Sequence, residues 1–336
     1  MTDRVRMLGV GVAVPETIRT SEQVEARIAA ASPHFRPRAG SIAAISGIHT
    51  RPVADDSQQC SDLAATAACR ALADAGVERG DIDLLIFASA SQDLLEPATA
   101  NIVQEKLGTS AQVFDVKNAC NSFVNGVQVA EAMILSGAAT RALVTTGELC
   151  SRAINWCVRD TDEFRRNFPG YTMGDAGAAA VLVRSDDARG IYYRRFITMS
   201  EHWPLATIPA GGSMHPRGEE YTYLFADGAA LKQAFIDIAP AVVCRLLRES
   251  HTTFDDFDRI LIHQATMPYL QEMLDVTGIP IDRVELTAPT HGNMAAASLP
   301  VAFAQAQARG AISRGDQVLW LGLASGISVG AMMMQV

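Results

Sequence analysis

The chain has 336 residues, of which 49% are apolar and 19% are charged, and its formal net charge is -9. An apolar fraction this high over this length can bury a large core, so a globular protein is expected. The acidic balance argues against nucleic acid as a partner, because binding to phosphates depends on clustered lysine and arginine.

The six cysteines do not follow the spacing of a metal site or of a disulfide scaffold. They occupy positions 60, 69, 120, 150, 157 and 244, without a CxxC pair or a finger-like Cys/His pattern. We therefore expect no metal and a reducing, cytoplasmic location. The first residues also lack the apolar run of a signal peptide.

The first half of the chain alternates helical and strand patterns. Residues 60–76 have the apolar spacing of a helix, and the run at 84–89 predicts a buried strand. Cys120 lies between an apolar run and a helical pattern that ends near Gly137, and a strand is predicted at 142–148. A further strand at 178–183 precedes the polar segment 185–191.

The second half repeats this order of elements. A helix is predicted from residue 234, a strand at 259–264, a helical stretch at 295–309 and a strand at 318–323. Cys120 follows Asp83 by 37 residues, and Asn293 follows Asp258 by 35 residues. Self-similarity of this kind indicates an internal duplication.

The alternation of strands and helices predicts an α/β fold with buried, largely parallel sheets. We expect two similar halves, residues 1–185 and 186–336, that share one core, because no Pro- or Ser-rich linker separates them.

Residues 318–336 carry no charge and approach the length of a membrane span, about 20 residues. Glycines divide this segment into two short runs, so we expect a buried hairpin and no membrane span.

Cys120 is the first candidate for chemistry. Its predicted place at the N-terminus of a helix should lower the pKa of the thiol, because free backbone N–H groups and the helix dipole favour negative charge there. A thiolate of this kind is a nucleophile. The alternative is a small buried apolar residue, which is the usual role of a free cysteine.

Two further polar residues should converge on Cys120. His263 ends a predicted strand, and Asn293 lies in a turn before a predicted helix, so the repeat places both opposite the helix start at Cys120. A lone histidine at a strand end is more often structural, and only this convergence favours a site. The segment 322–326 is expected to turn tightly enough to direct a backbone N–H at an oxyanion, together with that of Cys120.

Several motifs carry a resemblance to a known family. They are SGIHTR (46–51), DVKNACNSFVNG around Cys120, MGDAGAAAVLV (173–183), IHQA at His263, GNMAAASLP (292–300) and the closing GLASGISVGA. In this order they resemble the thiolase superfamily, and within it the β-ketoacyl-acyl-carrier-protein synthase III group. The resemblance implies a five-layer αβαβα homodimer with duplicated halves, a Cys120–His263–Asn293 triad, and oxyanion donors at Cys120 and Ser325.

The sequence also departs from the fatty-acid-initiating members of that group. His263 opens the segment HQATMP, which lacks the arginine that contacts the acyl carrier protein, and the tryptophan that stacks on coenzyme A is absent before SGIHTR. The pattern LEPATANIV instead resembles OleA-type enzymes, which condense two acyl-CoA molecules. That resemblance implies that the partner's Glu96 removes an α-proton; the alternative for this residue is a solvated loop carboxylate.

The resemblance implies an acyltransferase that forms an acyl-Cys120 intermediate and joins it to a second acyl thioester by Claisen condensation. The alternatives are a decarboxylating synthase that uses malonyl thioester and an acyltransferase to an oxygen or nitrogen nucleophile. Acyl-CoA or acyl-carrier-protein thioesters are the expected substrates, and no further cofactor is implied. Arg152 is a candidate contact for coenzyme A, and a heterodimer with a related chain remains an alternative to the homodimer.

Overall fold

The structure is a computed structural model that describes residues 4–336. Its strands are β1 (Val5–Ala13), β2 (Ile18–Thr20), β3 (Thr50–Pro52), β4 (Leu84–Ala88), β5 (Gln112–Val116), β6 (Arg141–Glu148), β7 (Ala176–Arg184), β8 (Gly190–Thr198), β9 (Ala206–Thr207), β10 (Phe225–Ala226), β11 (Arg259–Ile262), β12 (Gln317–Ala324) and β13 (Ser328–Gln335). Its α-helices are α1 (Ser21–Ala31), α2 (Ser41–Ser46), α3 (Cys60–Ala75), α4 (Thr99–Leu107), α5 (Ser122–Ser136), α6 (Thr161–Tyr171), α7 (Gly228–Ser250), α8 (Met267–Thr277), α9 (Ala288–His291) and α10 (Ser298–Ala308).

Two mixed sheets organise the molecule. The first has the strand order β1-β7-β6-β4-β5, and the second has the order β11-β12-β13-β8. In the order β8-β13-β12-β11, the strands of the second sheet correspond to β1, β7, β6 and β4 of the first. In the place of β5, the second sheet has only an isolated parallel bridge between Ile260 and Val284. This common order is the structural form of the predicted duplication.

The prediction of largely parallel sheets is wrong. Strand β4 pairs in parallel with β5 and β6, but β7 pairs antiparallel with both β6 and β1. In the second sheet β12 is parallel to β11 and antiparallel to β13. A turn of three residues joins β12 to β13, and a connection this short permits only antiparallel pairing.

The core lies in two helix–sheet interfaces and one central helical layer. Helices α5 and α10 are packed between the two sheets, where Phe123 and Phe303 contact β4 and β12 residues such as Ile86 and Trp320. Helices α3 and α4 cover the outer face of the first sheet, and α7 and α8 cover that of the second. The result is the expected αβαβα arrangement, with both faces of each sheet buried.

Burial on both faces explains the continuous apolar run of β4. Leu84 and Ile86 point to the central layer, whereas Leu85 and Phe87 point to α3 and α4. A strand whose side chains alternate between two apolar layers needs no polar face.

The uncharged segment near the C-terminus forms the predicted hairpin, β12 and β13, in the middle of the second sheet. Within residues 4–336, no helix has the length and apolar character needed to cross a membrane. Strand β7 ends at Arg184 and β8 begins at Gly190, on either side of the expected boundary between the halves. The division at residue 185 itself stays a prediction.

Candidate active site

Cys120 lies in a tight turn between β5 and α5, as predicted. The preceding residue, Ala119, has a φ of 45°, in the left-handed region that costs a non-glycine residue about 1 kcal/mol. The hydroxyl of Ser122 holds this turn, because it accepts the N–H of Asn118 at 2.8 Å and donates to the carbonyl of Ala119 at 2.7 Å. Strain maintained by its surroundings is typical of functional positions.

The expected lowering of the Cys120 pKa is wrong. Burial of the thiol, followed by the nearby Glu148 carboxylate, raises its pKa to about 12, and the local backbone hydrogen bond opposes them only in part. The cost of burying a thiolate therefore exceeds what the start of α5 supplies. At neutral pH the Cys120 side chain is therefore a neutral thiol.

The hairpin of β12 and β13 packs directly on the turn that contains Cys120. The side-chain amide of Asn121 donates to the Ser328 carbonyl at 3.0 Å, and that of Asn118 donates to the Ser328 hydroxyl at 3.2 Å. A Cβ at Gly322 would lie 1.9 Å from the side-chain oxygen of Asn121. Only glycine at position 322 therefore allows β12 to lie this close to Asn121. The turn that contains Ser325 follows β12 and lies at the same end of the sheet as Cys120.

His263 follows β11 directly and lies at this same end. Its backbone N–H donates to the carbonyl of Leu321, the residue before Gly322, at 2.9 Å. The side chain is buried, and burial lowers its pKa to about 4, so the imidazole is neutral at physiological pH. Its Nδ1 atom has no hydrogen-bond partner among residues 4–336. A buried unpaired nitrogen is an available donor or acceptor for a substrate.

Asn293 is fixed beside the start of β7. Its backbone accepts from Gly174 at 3.0 Å and donates to Thr172 at 2.9 Å. Its side-chain oxygen accepts the N–H of Ala295 at 2.9 Å, which leaves the amide NH₂ group to donate. Ala295 has a φ of 46°, so strained backbone accompanies this segment as it does Cys120.

The repeat places Asn293 differently from the sequence prediction. Ala119 and Ala295 are equivalent, because each has a positive φ and lies three residues before its helix, α5 or α10. The counterpart of Cys120 is therefore Ala296, and Asn293 precedes that position by three residues. Asn293 thus comes from the strand-to-helix connection and not from the helix start.

The three predicted residues share one edge of the fold. Cys120 follows the carboxyl end of β5, His263 follows that of β11, and Asn293 pairs with Met173 just before β7. Clefts at the carboxyl ends of parallel strands are the usual ligand sites of α/β sheets. The structure therefore places the predicted residues where a shared site can form, while their chemical roles stay predictions.

Ser325 lies half-buried in the turn between β12 and β13, so its backbone N–H is a candidate donor at this edge. Arg152 lies on the surface, where its guanidinium donates to the side chain of Gln59 at 3.1 Å and to the carbonyl of Asp56 at 3.0 Å. These bonds give Arg152 a structural task in the 56–59 loop. Its contact with coenzyme A stays a prediction.

Glu96 lies on an exposed loop between β4 and α4. Its neighbours Leu94 and Leu95 are 50% and 69% exposed, which is unusual for two consecutive leucines of a chain with a large core. Exposed apolar residues beside a carboxylate are typical of a surface covered by another molecule. That Glu96 acts in a second subunit stays a prediction.

Two residues of this region were missed by the sequence reasoning. Gln264 ties the end of β11 to the segment before α9, because its side chain accepts the N–H groups of Thr287 and Ala288 at 3.0 Å. Glu148 ends β6 and is fully buried, and the charge of its carboxylate raises the pKa of Cys120. The sequence did contain a sign of Glu148, because it is a charged residue at the end of a strand pattern, 142–148, that is otherwise uncharged.

The reactivity of Cys120 should rise steeply with pH. A thiol with a pKa near 12 is only slightly ionised at pH 7, and its thiolate fraction grows about tenfold per pH unit below the pKa. We expect the rate of Cys120 alkylation by iodoacetamide to increase about tenfold per unit from pH 6 to 9, without a plateau. Peptide mass spectrometry measures this rate, and a plateau below pH 8 would show that the thiol has a low pKa.

The models of one family match two segments of the chain. The 3-oxoacyl-[acyl-carrier-protein] synthase III model matches residues 114–198, and the model of its C-terminal part matches residues 247–336. A β-ketoacyl-[acyl-carrier-protein] synthase III of Cereibacter sphaeroides is 33% identical, with both chains covered completely. One from Neisseria gonorrhoeae is 34% identical over 88% of this chain and 89% of its own.

Solved structures of OleA from Xanthomonas campestris match the whole fold. One with bound cerulenin has a TM-score of 0.90 and 28% identity, covering 99% of this chain and 97% of that chain. Another, with bound lauric acid and lauroyl-CoA, has a TM-score of 0.89 and 28% identity, covering 99% of each chain. Among the OleA structures are variants in which a glutamate, a cysteine or a histidine is replaced, and these three residues occur in this order along the OleA sequence.

Proposed function

The chain belongs to the 3-oxoacyl-[acyl-carrier-protein] synthase III family of condensing, acyl-transferring enzymes, and we propose that it joins two acyl thioesters without decarboxylation. Residues 1–185 would supply the nucleophile Cys120, and residues 186–336 would supply His263 and Asn293. The observation that carries this proposal is Glu96, an exposed carboxylate directly preceded by two exposed leucines that a second subunit would cover.

In the first step the sulfur of Cys120 attacks the carbonyl carbon of an acyl-CoA. The thiol loses its proton, the carbon–sulfur bond to coenzyme A breaks, and coenzyme A leaves as the protonated thiol. Backbone N–H groups of Cys120 and Ser325 stabilise the oxyanion, and each such donor contributes about 3 kcal/mol. The acyl group is then bound to Cys120 as a thioester.

In the second step the partner's Glu96 removes an α-proton from a second acyl thioester. The neutral imidazole of His263 and the amide of Asn293 donate hydrogen bonds to the enolate oxygen. The α-carbon attacks the acyl carbonyl, the bond to Cys120 breaks, and the thiolate recovers a proton. The product is a β-ketoacyl thioester, and no carbon dioxide is released.

A dimer is part of this proposal. Strand β5 is the outer edge of the first sheet, and an edge strand presents unpaired N–H and C=O groups that another strand can bind. Pairing of β5 with its counterpart would place the Glu96 loops of the two subunits close to the common axis. We propose a homodimer on this basis.

A decarboxylating synthase is the second candidate. It is favoured by the sequence relatives, since those that are 33% and 34% identical are β-ketoacyl-[acyl-carrier-protein] synthases III. That reaction uses a malonyl thioester, in which loss of carbon dioxide creates the carbanion and makes a carboxylate base unnecessary. Transfer of the acyl group to an oxygen or nitrogen nucleophile is the third candidate.

One experiment separates these functions. The purified protein is incubated with a medium-chain acyl-CoA alone, or with malonyl-CoA or an alcohol or amine added. We expect acyl-Cys120 and a β-keto product from acyl-CoA alone, detected by peptide mass and by product extraction. A product that requires malonyl-CoA and releases carbon dioxide, or one that is an ester or amide, would replace this proposal with the corresponding alternative.

A further inference from the structure

The loop that carries Glu96 is anchored at both ends by carboxylates. We define the crossing loop as residues 92–98, between β4 and α4. Before it, the Glu148 carboxylate accepts the N–H groups of Ala90 at 2.7 Å and Ser91 at 3.0 Å. After it, Asp115 accepts the N–H groups of Thr99 and Ala100, both at 2.9 Å.

The anchor at Glu148 is the stronger constraint because it is buried. Glu148 has no exposed surface, and its carboxylate also accepts the hydroxyl of Ser91 at 2.7 Å. A buried carboxylate is tolerated only when hydrogen bonds compensate for the lost solvent. Two convergent N–H groups therefore fix the direction in which the backbone leaves β4 at Ala90 and Ser91.

The exposed part of the loop begins close to this anchor. The N–H of Asp93 donates to the hydroxyl of Thr99 at 3.2 Å, and the Asp93 carboxylate accepts the N–H of Ser61 at 3.1 Å. Leu94, Leu95 and Glu96 follow as the exposed tip. Ser91 lies five residues before Glu96 in the sequence, so a change of direction at Ser91 would reach the tip through Asp93 and displace Glu96.

We propose that Glu148 is a positioning residue that acts on the active site of the partner subunit. It lies in one subunit near that subunit's Cys120, but its hydrogen bonds hold the crossing loop, whose tip serves the other subunit. This inference rests on the proposed function, in which the partner's Glu96 is the base. A direct effect of Glu148 on its own Cys120 is the competing explanation, because its charge raises the pKa of that thiol.

Heterodimers with one functional nucleophile separate the two explanations. Two differently tagged chains are co-expressed, and the mixed dimers are purified through both tags. In the opposed arrangement, Cys120→Ala is in one chain and Glu148→Gln is in the other. In the joint arrangement, both substitutions are in one chain and the other chain is unchanged.

The proposal predicts that the joint dimer loses condensation. Its intact Cys120 receives Glu96 from a chain without the Glu148 anchor, and a misplaced reacting group costs about 100-fold in rate. Its acylation, measured as the release of one equivalent of coenzyme A, should remain. The opposed dimer should keep the condensation rate of a reference dimer that carries only one Cys120→Ala chain.

The reverse pattern would overturn the inference. If Glu148 acts on its own Cys120, the opposed dimer loses activity and the joint dimer keeps it. Equal losses in both dimers would mean a general structural role, which also contradicts the proposal. The same two arrangements with Glu96→Ala in place of Glu148→Gln test the proposed function separately, because they report directly whether the base acts between subunits.

Glu25→Gln is a matched control for the loss of a buried carboxylate. Glu25 accepts the N–H groups of Gly40 and Ile42 at 2.8 Å and the hydroxyl of Ser41 at 3.2 Å, a set of donors like that of Glu148. We expect similar melting temperatures for the two variants, but no selective loss in the joint arrangement for Glu25→Gln.

If Glu148→Gln does not fold, Ser91→Ala provides the same test. This change removes one donor to the carboxylate and the acceptor of the Leu149 N–H at 3.3 Å, and it leaves the two N–H bonds to the carboxylate in place. We expect a smaller loss, about tenfold, again only in the joint arrangement. Equal activity of the joint and opposed dimers for Ser91→Ala would contradict the proposal.

Discussion

Cys120→Ala should abolish the acyl-enzyme and reduce condensation by at least roughly 10⁴-fold, because no other group then forms the covalent intermediate. The substitution removes one sulfur from a half-buried turn that the Ser122 hydroxyl still holds. We therefore expect the variant to fold normally. Intact-protein mass spectrometry after incubation with acyl-CoA measures the adduct, and product extraction measures the condensation.

Cys150→Ala is the matched control for the loss of the nucleophile. Cys150 is also half-buried, and its sulfur lies 3.9 Å from the carboxylate of Glu148. Burial and the nearby Glu148 raise the pKa of its thiol, as they do for Cys120, but Cys150 does not precede a long helix. We expect acylation of the Cys150→Ala protein to match the unchanged enzyme. An acyl adduct retained by Cys120→Ala and lost from Cys150→Ala would reverse the assignment of the nucleophile.

The turn that contains Cys120 combines two properties that suit a neutral acyl acceptor better than a free thiolate. The pKa of about 12 keeps the resting thiol neutral, and the strained Ala119 holds it at the start of α5. An acyl thioester carries no charge, so burial that opposes the thiolate does not oppose the acyl-enzyme. With the proposed mechanism, the acyl intermediate should therefore accumulate on Cys120 until a second substrate arrives.

The sequence predicted the central elements well because their apolar patterns are continuous. Helix α3, strands β4 and β6, and the β12–β13 hairpin all lie close to their predicted limits. Each packs against at least one apolar layer, so its burial is recorded in its spacing of apolar residues. The duplication was visible for the same reason, since both halves bury equivalent strands.

The direction of paired strands and the alignment of the two repeats were harder to predict from the sequence. Whether β7 pairs parallel or antiparallel with β6 depends on chain direction in space, which an apolar run does not encode. Counting from Asp83 and Asp258 placed Asn293 opposite Cys120, whereas the positive φ of Ala119 and Ala295 shows a shift of three residues. Backbone conformation, not spacing, defines the equivalence.

The electrostatics of the site depended on a contact between distant residues. Helix position alone predicted a low pKa for Cys120, but Glu148 approaches from β6, 28 positions further along the chain. The packing of α5 on the first sheet buries both the Cys120 thiol and the Glu148 carboxylate, and the sequence alone does not show this packing. The same packing shows that Glu148 holds the segment before the crossing loop, a role that its position in a strand pattern does not indicate.

Glu96→Ala should leave acylation of Cys120 unchanged and reduce condensation of two acyl-CoA molecules by about 10²- to 10⁴-fold, the usual contribution of a general base. Its side chain is exposed on the crossing loop, so the change should leave the melting temperature of the protein nearly unaltered. Release of the first coenzyme A and formation of the β-keto product are measured in the same reaction. Glu105→Ala is the control, because Glu105 is an exposed glutamate of the neighbouring helix α4.

Malonyl-CoA makes the test of Glu96 sharper, because decarboxylation creates a carbanion without a base. If the Glu96→Ala enzyme loses condensation of two acyl-CoA molecules but still extends acyl-Cys120 with malonyl-CoA, the missing step is proton removal from the second substrate. If it condenses acyl-CoA at the normal rate, Glu96 is not the base and the non-decarboxylative proposal loses its main support. Loss of acylation in the Glu96→Ala enzyme would instead place this residue in the first step, which its position outside the turn that contains Cys120 does not predict.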